Sequence, residues 1–243
     1  MQALRRFSHL RNLDLIGANM QSSWTLYLVG PPLSLLRLDE NVAIDDRSLS
    51  YLSKIPTLEN LSLAATGISD RGLQSLSRLP ALRSLWLGEN RQLTADALKN
   101  LSPQSSPIGS LFLNDCSFTD QIGDELVKFR GLFSLDISNN PKLSDQILLT
   151  LQKAKGLQCL MVAYDHLGPE GIHAITKLDK LGILDVSGVR LRPESIADLA
   201  TMTHLSHLYV VNCHLSVGQI DQLTRALPHT NVETNNRLSS RTR

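Results

Sequence analysis

Leu82-Arg83-Ser84-Leu85-Trp86-Leu87-Gly88-Glu89-Asn90 has apolar residues at its first, fourth and sixth places and an asparagine at its ninth. The alternation Leu85-Trp86-Leu87 has the period of two that marks a short strand with one buried face. Asn90 follows where the chain must turn out of that strand. A buried side chain there has to satisfy backbone groups, and an amide does this well. The same apolar-x-x-apolar-x-apolar unit begins at Leu10, Leu33, Leu58, Leu82, Ile108, Leu132, Leu157, Leu181 and Leu205, in steps of 23 to 26 residues. The turn position is Asn41, Thr66, Cys116, Asn140, Asp165 and Cys213 in other units. Val189 breaks the pattern, because its side chain offers no polar atom.

The second half of each unit has a helical period. Ile68-Ser69-Asp70 leads to Leu73, Leu76 and Leu79, and Phe118-Thr119-Asp120 leads to Ile122, Leu126 and Phe129. Leu143-Ser144-Asp145 leads to Ile147 and Leu151. The Ser or Thr is expected to cap the helix, and the Asp beside it to suit the helix dipole. Gly168-Pro169-Glu170 and Arg192-Pro193-Glu194 put proline at the first helical position instead. Each unit is therefore strand, turn, helix, return. One such unit hides roughly six large side chains at ~1.5–3 kcal/mol apiece, most of it cancelled by chain ordering. Only a stack of units is stable.

This unit, L-x-x-L-x-L-x-x-N/T/C with a helical return, resembles that of the leucine-rich repeat family, over about residues 4–227. The spacing is closest to the cysteine-containing and ribonuclease-inhibitor-like subtypes. The resemblance implies an α/β fold, a right-handed solenoid (horseshoe) with a concave parallel β-sheet and convex helices. It also implies protein binding rather than an activity. Similar arrays serve as substrate-recognition arms of ubiquitin-ligase adaptors and of bacterial effectors, the alternative reading for this chain. The expected organisation is one domain of about nine repeats over residues 1–234, then a loose polar tail over 235–243. Residues 228–232 look like a worn-out tenth strand.

Phe7 and Leu4 align with Leu79 and Leu76, so the chain starts within a repeat's helix and no polar cap precedes the first strand. Terminal repeats ordinarily carry such a cap. The expectations are an upstream continuation, and a homodimer or domain contact through the uncapped first repeat.

Composition removes several function classes. Of 243 residues, 47 are leucine, and the 24 basic and 23 acidic residues leave a net charge of +1. That balance gives no global field for nucleic acid or an anionic membrane. No apolar run reaches membrane-spanning length. Cys116, Cys159 and Cys213 are too few and too far apart for a disulfide framework, which favours a reducing, cytoplasmic compartment. There is no P-loop or glycine fingerprint and no Cys–His pair placed for nucleophilic chemistry. His204, His207, Cys213 and His214 lie close in sequence, yet Cys213 falls on the buried turn and His207 on the open sheet, so a metal site is not expected. No catalytic residue and no cofactor is expected.

The residues between the second and third apolar positions face outward across the concave sheet: Asp14, Arg37, Ser62, Trp86, Phe112, Asp136, Met161, Asp185 and Tyr209. Just beyond the strands stand Asp39-Glu40, Gly88-Glu89, Asn114-Asp115 and Ala163-Tyr164. Trp86 and Phe112 should be side by side and exposed, as binding hot spots often are. This side carries many carboxylates against Arg37 alone, while Arg71, Arg78, Lys99 and Lys128 fall on the helical side. The expected partner is a protein or peptide with a basic contact surface. Its expected contacts are Arg37, Trp86, Glu89, Phe112, Asp115, Asp136, Met161, Tyr164, Asp185 and Tyr209.

Overall fold

The computed structural model describes residue 4, residues 6–102 and residues 106–235. The expected polar tail, apart from Asn235, lies outside the described residues, as do residues 1–3 and 5. Ten three-residue strands form one sheet: β1 (Asn12–Asp14), β2 (Leu35–Arg37), β3 (Asn60–Ser62), β4 (Ser84–Trp86), β5 (Ser110–Phe112), β6 (Ser134–Asp136), β7 (Cys159–Met161), β8 (Ile183–Asp185), β9 (His207–Tyr209) and β10 (Asn231–Glu233). They follow one another in sequence order, all parallel, with no crossover. This is the leucine-rich-repeat solenoid. The worn segment at 228–232 is a true tenth strand: Asn231, Val232 and Glu233 pair with His207, Leu208 and Tyr209.

Helical returns cover the other side: α1 (Asp46–Leu52), α2 (Ala95–Asn100), α3 (Ile122–Leu126), α4 (Asp145–Leu151), α5 (Pro169–Ile175), α6 (Pro193–Leu199) and α7 (Val217–Ala226). Ser22–Leu28 and Gly72–Arg78 wind as tighter 3₁₀ segments. The middle strand residues Leu36, Leu61, Leu85, Leu111, Leu135, Leu160, Leu184 and Leu208 are wholly buried and belong to a single continuous core with the helix faces. Every strand pairs in the same register, so each outward position forms a column running the length of the sheet.

The turn residues form a second, polar column. The Asn90 amide donates to the carbonyls of Leu63, Leu87 and Gly88, and its oxygen accepts from the Thr66 N–H. Asn41 and Asn140 repeat this arrangement on their own neighbours. Cys116 and Cys213 direct their thiols at the carbonyls of Leu87 and Val186, at 3.5 and 3.1 Å. The last contact accounts for Val189. Its own N–H and the Cys213 thiol of the next repeat both reach the Val186 carbonyl, so the neighbour supplies the missing polar contact.

Of the Ser/Thr-Asp pairs, Ser144-Asp145 behaves as expected, with the Ser144 hydroxyl accepting from the Gln146 N–H and Asp145 in the first turn of α4; the other two differ. Ser69 and Thr119 do not cap helices: the segments after them start at Gly72 and Ile122, and the cap positions Arg71 and Gln121 make no side-chain cap bond. Nor do the aspartates serve mainly the dipole. Asp46 accepts from the N–H and hydroxyl of Ser69 (2.7 and 2.6 Å), Asp70 likewise from Thr94 (2.8 and 2.6 Å), and Asp120 from Ser144 (2.9 and 2.6 Å). Each carboxylate thus satisfies the next repeat's helix entrance rather than its own. Charge-assisted bonds to two donors are stronger than an exposed dipole contact, so the inter-repeat pairing wins.

Candidate functional site

The concave surface is built from two kinds of backbone. Strand positions set the central columns. One residue per repeat beyond each strand then takes a left-handed conformation: Glu40, Ala65, Glu89, Asp115, Asn139, Tyr164 and Asn212, with Gly17 and Gly188 in the same place. The N–H of each of these from Gly17 to Gly188 bonds a carbonyl of the next repeat, for example Glu89 to Asn114 and Tyr164 to Ser187. The ladder therefore continues past the strands, and side chains strained into this conformation line one rim of the sheet. Glu89, Asp115 and Tyr164 owe their position to it.

Trp86 and Phe112 are partners in register. Their rings stack face to face at 4.7 Å between centroids and 1° between planes. They are half-buried rather than exposed, because each ring covers a face of the other. They are a wall on the sheet, not two free knobs. Arg37 is exposed and clamped between Asp14 (3.1 Å) and Asp39 (3.8 Å). Asp39 is itself buried; it accepts from the Ser62 hydroxyl and the Ala64 N–H. Arg37 is thus a cation already paired at one end of the acidic face.

The remaining carboxylates are different. Asp115 accepts from Asn114 and Asn139, Asp136 from the Ser138 N–H, and Asp185 from the Ser187 N–H. None of them, nor Glu89, has an ion-pair partner among the described residues. Burial holds the Asp136 carboxyl above the usual range, and the charges of Asp185 and Asp115 push the same way. Half-buried Met161 lies between Asp136 and Asp185 in register. Tyr209 stacks on His207 at 6.4 Å. Tyr164 is 53% exposed, and its hydroxyl accepts from the Asn212 amide at 3.1 Å across two repeats. Gly188 lies beneath that ring: a Cβ there would stand 2.3 Å from the Tyr164 Cδ1.

The three cysteines are free. Burial pushes the Cys116 thiol up to about 12 and the Cys213 thiol up to about 11, and half-buried Cys159 is raised for the same reason. Such thiols are poor nucleophiles. Cys213 points at a backbone carbonyl while His207 stacks on Tyr209, so their directions diverge, as the strand pattern implied.

One feature of this face is not legible in the strand pattern taken residue by residue. Between Arg37 and Trp86 in the same column, β3 carries only Ser62, and a cavity of about 240 Å³ opens there, lined by Leu35, Leu36, Arg37, Asn60, Ser62 and Trp86. A small residue flanked by two large ones at the same register was the available signal.

No family model matches the chain, and no curated protein matches it significantly. Solved structures do. The chain is similar to internalin C2 from Listeria monocytogenes (19% identity, TM-score 0.61, 87% of this chain and 84% of that one). It is also similar to RP105 in the mouse RP105/MD-1 complex (20%, 0.64, 96% and 39%) and to TLR13 in the TLR13–ssRNA13 complex (18%, 0.63, 95% and 36%). It thus spans less than two fifths of either of the last two chains. These likenesses establish the fold alone. One of the three is an RNA complex, so the expectation of no nucleic-acid partner draws no support from the fold and rests on the charge of the concave face. No helix among the described residues is long and apolar enough to cross a membrane.

Proposed function

We propose that the chain is a non-catalytic interaction scaffold whose concave sheet binds a protein or peptide with a basic contact surface. The observation that carries this reading is the group of carboxylates without ion-pair partners, Glu89, Asp115, Asp136 and Asp185, around the Trp86–Phe112 wall. Asp136, whose proton affinity is raised by burial and, in the same direction, by the charges of Asp185 and Asp115, is poorly satisfied in the free protein. A lysine or arginine from a partner relieves that repulsion and gains a charge-assisted bond. The flat aromatic wall supplies apolar area beside the charges, the composition that interface cores favour. RP105 in complex with MD-1 offers a precedent for a protein partner on this fold. Loss of more than ~2 kcal/mol of partner affinity is expected for Trp86→Ala combined with Phe112→Ala, the magnitude of a hot spot. Titration of a captured partner against the wild type and the folded double variant measures it; equal affinity would remove the assignment.

A further inference from the structure

We propose that the cavity over Ser62 is a one-ring slot that receives a planar aromatic side chain, tyrosine best of all, from a basic segment of the protein partner. The inference rests on the reading of the concave face as a partner surface and names the group that anchors there.

Geometry is the first argument. Phe112 and Trp86 already form two rungs of a stack on neighbouring strands, 4.7 Å apart. The next rung, on β3, is empty because Ser62 is too short to fill it. The rung after that is Arg37, so two strand spacings, about 9.6 Å, separate Trp86 from Arg37. That width admits one ring midway, within stacking distance of Trp86 and within the ~6 Å reach of a guanidinium over an aromatic face. Arg37 is held in place by Asp14 and Asp39, so it lines the slot instead of folding across it.

The second argument is chemical. Leu35 supplies an apolar flank. Asn60 lines the cavity too, and no hydrogen bond to its side-chain amide is made within the described residues, which leaves a donor and an acceptor for a phenolic hydroxyl. The Ser62 hydroxyl donates to Asp39 and keeps its acceptor capacity. A nucleobase has the same planar shape, but it arrives with phosphates. Asp39, bonded to Ser62, and Asp14, bonded to Arg37, stand beside the slot and oppose them, whereas a lysine or arginine flanking a tyrosine is attracted.

The experiment uses N-acetyl-Lys-Tyr-Lys-amide as probe, the leucine version of it, and a short oligoadenylate. The readout is the pair of indole N–H signals of Trp86 and Trp24, the chain's two tryptophans. The tyrosine peptide is expected to shift the Trp86 signal and leave Trp24 unmoved, and to bind about tenfold more tightly than the leucine peptide. Ser62→Leu, which fills the slot, should abolish the shift; Ser62→Ala, which leaves it open, should preserve it and shows that the hydroxyl is not the cause. No shift of Trp86, equal binding of the leucine peptide, or undiminished binding by folded Ser62→Leu each overturns the slot. So does tighter binding of the oligoadenylate, which would make it a nucleobase site. Partner affinity separates the two readings. If the Trp86/Phe112 double variant weakens the partner and Ser62→Leu does not, the slot falls and the partner surface stands; if neither does, both fall.

Discussion

Asp165 occupies a place that asparagine fills in three other repeats, and replacing it with asparagine should stabilise the protein at neutral pH. Its Oδ1 accepts from the Asn140 N–H at 2.7 Å, and its Oδ2 is buried with no hydrogen-bond partner. Burial raises its pKa to about 8, with the charge of Asp136 adding to the effect and the Asn140 bond opposing it. An aspartate in the unfolded chain titrates near 4. Because the folded value is the higher one, the contribution is complete below about pH 4, is lost as pH rises toward about 8, and changes no further above that. At pH 7 some three of those four decades have been crossed, which costs ~4 kcal/mol at 1.36 kcal/mol per decade. The substituted amide would keep the Oδ1 acceptor and put an N–H₂ group where Asn90 and Asn140 donate to carbonyls three residues back. Urea unfolding of wild type and Asp165→Asn across pH 4–8 tests this. The variant should gain about 2–4 kcal/mol at pH 7, and the gain should shrink below ~1 kcal/mol at pH 4. A variant less stable than wild type at pH 7, or a difference that does not change with pH, would refute the reasoning.

Four further outcomes are expected. Asn90→Ala leaves the Thr66 N–H without its acceptor and takes one donor from each of the carbonyls of Leu63, Leu87 and Gly88, which keep the Thr66 hydroxyl, the Cys116 thiol and the Ala65 N–H, and should lower urea stability by about 1–3 kcal/mol, the cost of one buried orphan. Ala65→Gly should stabilise by up to ~1 kcal/mol, since φ of 52° strains an alanine and not a glycine. Gly188→Ala combines a φ of +73° with the Tyr164 ring in its way and should cost about 2–3 kcal/mol, falling to ~1 kcal/mol in a Tyr164→Ala background where only the backbone strain remains. A thiol reagent at pH 8 should modify Cys159 first and leave Cys116 and Cys213 until the chain is unfolded, because the raised values leave almost no thiolate at the two buried positions.

The repeat register was legible because a three-residue strand with a period of two flips every side chain if it slips by one. Leu85 and Leu111 could only face the core, so Trp86 and Phe112 had to be neighbours on the open face. Their stacking was not legible: ring orientation depends on what covers each face, and a pattern of outward positions carries no such information. The same limit applied to Asp70. Read within its own repeat, a carboxylate beside Ser69 looks like a partner for the nearest helix dipole; only the 24-residue translation brings it to Thr94. Repeats displace polar partnerships by one unit, because the groups facing across the stack belong to different copies. The empty rung over Ser62 follows from the same displacement. No single repeat contains a cavity, yet a serine between an arginine and a tryptophan, each one strand away, makes one. In such an array the leucines are fixed by each repeat separately, whereas binding features arise from differences between adjacent repeats. Substitutions at concave positions should therefore change partner choice while the stack beneath them stays folded.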